Sequence, residues 1–94
     1  MKTTLNIPQV ENLQSSNGND VPNQFRIITK DGAFFKSYST IIAAKLNDGS
    51  ILLDAKKWNY SRTTSKYRND FLGMTTKETE KLIGSGEITL TDLN

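Results

Sequence analysis

Residues 56–68, KKWNYSRTTSKYR, hold the side chains best suited to chemistry in this 94-residue chain. Lys56, Lys57, Arg62, Lys66 and Arg68 bring five positive charges with no acid among them. Trp58, Tyr60 and Tyr67 are interleaved with the charges, and Ser61, Thr63, Thr64 and Ser65 add hydroxyls. Cations beside aromatics suit a polyanion: ammonium and guanidinium groups meet phosphates, and aromatic faces accept bases. The binding residues expected are Lys56, Lys57, Tyr60, Arg62, Lys66 and Arg68. Trp58, Tyr67 and Phe71 are read instead as core anchors, because large aromatics are usually well buried.

Charge along the chain sharpens this assignment. Residues 1–55 carry five bases and five acids, and residues 69–94 carry two lysines against five acids. The overall charge of +2 therefore conceals one basic stretch, the pattern of a focused anion-binding surface. The acids of the C-terminal part, among them Glu78, Glu80 and Glu87, are too few for a mimic of nucleic acid.

Catalysis is poorly provided for. The chain has no cysteine and no histidine, so the usual zinc ligands and the usual neutral-pH base are missing. Asp48, Asp54 and Asp70 are not spaced as a magnesium cluster, and Gly84-Ser85-Gly86 lacks the lysine of a phosphate-binding loop. Tyr60 or Ser61 beside Arg62 is the one position suited to a nucleophile. A non-enzyme without metal or cofactor is expected. No apolar run reaches the roughly 18 residues that span a bilayer, and the N-terminus lacks the apolar core of a secretory signal. A soluble, cytoplasmic protein with no membrane partner follows as the expectation.

The elements that must position these residues are legible from turns and periodicity. Residues 1–22, with their Ser/Asn/Gly/Asp/Pro cluster, read as a flexible arm before a single domain at 23–94, with a short edge strand at Met1–Gln9 as the alternative. Asp31-Gly32 and Asp48-Gly49 each lie between β-prone runs and predict two hairpins. Thr64 or Ser65 is expected to cap a helix through Leu72, stopped by Gly73. Thr75-Thr76-Lys77-Glu78 matches a capping box for a second helix to about Ile83, and Glu87 to Leu93 alternates as a last strand. The fold class is α+β: a four- to five-stranded, mainly antiparallel sheet with two short C-terminal helices. The apolar strand Ile41-Ile42-Ala43-Ala44 suggests a homodimer formed by edge pairing.

Two runs also resemble a family of small bacteriophage and mobile-element proteins of unknown function. One is FFKSYSTIIA, starting at Phe34. The other is a signature carried by Trp58, Tyr60, Ser61, Thr63, Thr64, Lys66, Tyr67, Arg68, Asn69, Phe71, Leu72 and Gly73. The resemblance spans roughly residues 24–94. It implies a phage or prophage accessory protein that binds a host protein or nucleoprotein, such as a defence nuclease, or binds nucleic acid directly. An inhibitor acting through the basic stretch is the function expected, with direct DNA or RNA binding by the same residues as the alternative.

Overall fold

The computed structural model describes residues 8–94. Six strands form one sheet in chain order: β1 (Gln9–Gln14), β2 (Asp20–Thr29), β3 (Gly32–Ser37), β4 (Thr40–Leu46), β5 (Ile51–Asp54) and β6 (Ile88–Thr91). Helices α1 (Arg62–Leu72) and α2 (Thr76–Ser85) lie between β5 and β6. Neighbouring strands are antiparallel except β5 and β6, which the helical crossover makes parallel. The class is α+β, with more strands than the sequence suggests.

The additional strand lies in the stretch expected to be an arm. Gln9 pairs with Ile28 and Asn12 with Phe25, so residues 9–14 extend the sheet, and β2 already begins at Asp20. Leu13 is the physical reason: it is buried in the common core, and Val21 packs against that core. The flexible arm therefore does not extend over 9–22, while the edge strand considered at Met1–Gln9 falls almost wholly outside the described residues.

Both Asp-Gly hairpins form. Gly32 faces Leu46 across β3–β4 at φ 150°, and a Cβ there would lie 2.3 Å from the Lys45 carbonyl oxygen. Only glycine permits that approach. In the second turn the Asp48 carboxylate accepts the Ser50 N–H, which holds its pKa below the usual value.

Alternation assigns one face of the sheet to the helices. Phe35, Ala43 and Leu53 occupy one cross-strand row and are fully buried with Tyr67, Phe71 and Leu72 of α1. The Phe35 and Phe71 rings stack with centroids 5.9 Å apart. Leu82 and Ile83 of α2 pack on the same cluster beside Ile88. Burying these residues supplies the main driving force for holding helices on sheet, about 1.5–3 kcal/mol for each large apolar side chain. Central β4 lies between β3 and β5, so Ile41–Ala44 offers no edge for dimerisation. Among the described residues the sheet edges are β1 and β6. Among the described residues no helix is long and apolar enough to cross a membrane.

The helix ends follow local rules with one change. Ser61, not Thr64 or Ser65, caps α1 by accepting the Thr64 N–H at 3.1 Å. Thr64 is buried, and its hydroxyl is 3.1 Å from that of Ser37, tying helix to sheet. Gly73 ends α1 at φ 73°. Thr75 and Glu78 form the reciprocal capping box of α2 at 3.1 and 3.0 Å. Thr75→Ala should therefore lower stability by about 1 kcal/mol, read as a reduced urea midpoint with unchanged slope.

Candidate anion-binding surface

The basic stretch divides into a loop after β5 and the first half of α1, and one buried arginine joins them. Arg68 has 0% exposure. Its guanidinium donates to the Trp58 carbonyl, Asn59 Oδ1, Ser65 Oγ, Asn69 Oδ1 and Thr76 Oγ1. The guanidinium carbon also sits 5.0 Å from the Trp58 ring centroid. One side chain thus links the 58–59 loop, the body of α1 and the start of α2. Burial pushes its pKa down, and the charge of Glu80 opposes that shift. Arg68 is not at the surface; it is a buried clamp beneath the exposed cations. Periodicity carries the signal that distinguishes it. Thr64, Tyr67, Arg68, Phe71 and Leu72 are the buried residues of α1, spaced at i, i+3, i+4, i+7 and i+8.

The expected aromatic roles are met: Tyr67 and Phe71 are buried, and Trp58 is half-buried against the core. Tyr60 is 46% exposed, with Lys57 Nζ 5.1 Å from its ring centroid. Ser61 Oγ, the candidate nucleophile, is occupied as the helix cap.

Lys56, Lys57, Arg62 and Lys66 are exposed. Among the described residues the one ion pair is Arg26–Glu11 at 3.7 Å, so these four cations have no carboxylate partner there. Arg62 and Lys66 are four residues apart on α1 and share a face. No acid lies in the first turn of α1, leaving the positive end of its dipole uncompensated.

Asp54 fixes the loop from below through backbone donors. It is 3% exposed, and its carboxylate accepts the backbone N–H groups of Lys56, Lys57 and Leu93 and the Asn94 amide. Burial alone would raise its pKa, but these four hydrogen bonds outweigh that and hold it below the ordinary value. Asn94 also donates to the Ile41 carbonyl and accepts the Ile41 N–H. Asp70 is exposed.

The sequence model of a family of unknown function, DUF8033, matches residues 8–88. The chain belongs to DUF8033. The match takes in β1 as well as the basic stretch, so the edge strand lies within the DUF8033 unit and is not an appendage to it. No curated protein and no solved structure matches the chain.

The structure also brings forward a residue that strand alternation hides. Tyr38 lies in a two-residue turn between Ser37 and Thr40, which pair across β3–β4. It is 58% exposed and has φ 56°. With neither glycine nor asparagine in the turn, composition gives no warning of it.

Proposed function

We propose that this DUF8033 member is a non-catalytic phage-type accessory protein that acts by occupying an anionic site on a host nucleoprotein or defence factor. An RNA-guided nuclease is one such target. The observation that supports the reading is the set of four exposed cations, Lys56, Lys57, Arg62 and Lys66, on a clamped loop and helix start without acidic partners among the described residues. A preorganised cationic surface loses little entropy on meeting a rigid polyanionic partner.

A pull-down from host lysate tests it with wild type and Lys57→Glu/Arg62→Glu/Lys66→Glu. The wild type should retain a nucleoprotein that the triple variant loses. A partner retained equally by both would remove the basic surface as the contact.

Direct nucleic-acid binding is the second reading, favoured by the exposed Tyr60 beside Lys57. Four phosphate contacts should make log K fall against log[salt] with a slope of about −2.8 for single strands or −3.6 for duplex. Lys57→Ala should make that slope shallower by about 0.7–0.9. Fluorescence anisotropy over 20–300 mM salt, an illustrative range of roughly one decade, would measure both. A salt-independent affinity would eliminate the phosphate contacts.

A further inference from the structure

We infer that the ligand of the basic surface is single-stranded nucleic acid, gripped at the end of the sheet in a cleft lined by Lys56 and Lys57, with Tyr38 next in the chain to its lining and the Tyr60 ring beside one of its lysines. This rests on the reading of the basic stretch as the contact surface and adds to it a ligand class and a further binding residue, Tyr38.

The cleft has a volume of about 360 Å³. Ser39, Thr40, Ala55, Lys56 and Lys57 line it together with Asp54 and Asn94. Tyr38 directly precedes Ser39 of the lining, and the Tyr60 ring centroid is 5.1 Å from Nζ of Lys57, also of the lining. Each of these exposed tyrosines thus adjoins a residue that lines the cleft. Asp54 and Asp92 also border the cleft. The charge of Asp54 is spread over four donors, and Asp92 accepts the Asn94 N–H, so both carboxylates are engaged within the chain. The lysines have no such partner among the described residues.

Tyr38 contributes little to the fold. It lies outside the hydrophobic core, and its left-handed backbone costs about 1–2 kcal/mol in a residue other than glycine. The conformation is held from across the sheet, where the Tyr38 N–H donates at 2.6 Å to the carbonyl of Asn23, itself at φ 66°. A large exposed ring on a rigid, strained turn suits a stacking platform. Bases paired in a duplex keep their faces against one another, whereas unpaired bases offer theirs to aromatic side chains. The cleft is also of the size that takes a small ligand or one nucleotide unit. Tyrosine faces beside lysines therefore select single strands over duplex, and stacking tolerates any base sequence.

The test is anisotropy with a fluorescent 12-nucleotide mixed-sequence oligonucleotide, single-stranded and annealed to its complement (a length of order the ~4–16-nucleotide sites of single-strand binders). Wild type should favour the single strand. Tyr38→Asn, which keeps a residue tolerant of left-handed backbone, and Tyr60→Ala should each weaken single-strand binding about 5- to 150-fold. Tyr38→Phe should bind as wild type does, because it keeps the ring. Thermal unfolding by circular dichroism confirms that each variant is folded. Equal binding of duplex and single strand, unchanged by the tyrosine variants, would overturn this inference while leaving the basic-surface reading intact. So would failure of both oligonucleotides alongside a host partner lost with Lys57→Glu/Arg62→Glu/Lys66→Glu. Binding insensitive to both the tyrosine and the charge variants would overturn both.

Discussion

Arg68→Ala is expected to destabilise the protein by about 3–5 kcal/mol, the range for losing a large buried side chain together with its hydrogen bonds. That would consume much of the roughly 5–15 kcal/mol that holds a domain folded. Three losses combine. The Trp58 carbonyl, Asn59, Asn69 and Thr76 each lose a charged donor. A cavity opens in a fully buried site. The connection between the 58–59 loop, the body of α1 and the start of α2 is cut. Arg68→Met separates packing from hydrogen bonding, since it restores much of the volume but none of the donors. It should still cost about 2–3 kcal/mol, because acceptors remain unsatisfied. Arg68→Lys keeps the charge but cannot span acceptors on several segments, so it should lie between wild type and Met. Urea unfolding followed by circular dichroism gives these differences, and a red shift of Trp58 emission would report the loosened loop. Arg68→Met within about 0.5 kcal/mol of wild type would show that the guanidinium network is dispensable.

A buried arginine inside a basic stretch shows what the sequence could and could not disclose. Local rules carried well: Asp-Gly turns at 31–32 and 48–49, the Gly73 stop and the Thr75–Glu78 capping box all depend on residues within a few positions of one another. Non-local pairing did not. Residues 9–14 are a polar run in which Leu13 alone reaches the core, so only their register with β2 reveals a strand. The parallel partnership of β5 and β6 likewise depends on where two helices return the chain. At the surface, Lys56, Lys57, Tyr60, Arg62 and Lys66 are exposed as their composition suggested. By charge alone Arg68 reads as a surface cation, whereas its spacing from Thr64, Tyr67 and Phe71 puts it on the buried face of α1. Tyr38 was hidden for the opposite reason. The alternation of β3 carries on in the sequence one residue beyond Ser37, into a turn with neither glycine nor asparagine.

Asp54→Asn should cost about 3 kcal/mol at neutral pH, the scale of hydrogen bonds to a charged group plus a buried donor left without an acceptor. One carboxylate oxygen accepts the N–H groups of Lys56 and Lys57, and the other accepts those of Leu93 and the Asn94 side chain. Whichever way an asparagine amide is turned, its NH₂ faces two donors. The pH dependence follows from the same geometry. Asp54 has a lower pKa folded than the usual carboxylate value, despite burial, because the four donors favour the charged form. Its contribution is therefore complete above the unfolded pKa of about 3.9 and is lost as pH falls through the lower folded value. Asp48 and Glu78 are shifted in the same direction but are present in both proteins, so they cancel in the difference. Urea midpoints of wild type and variant should thus be well separated at pH 7 and converge below about pH 4. A gap that stayed constant across that range would mean that packing, and not the ionised carboxylate, holds the loop. Because Asp54 fixes the backbone of Lys56 and Lys57 directly, its loss should also blur the cationic wall of the cleft. At a pH where the variant remains folded, single-strand affinity should fall even though the substitution removes a negative charge from the lining of the cleft, which by electrostatics alone would raise it.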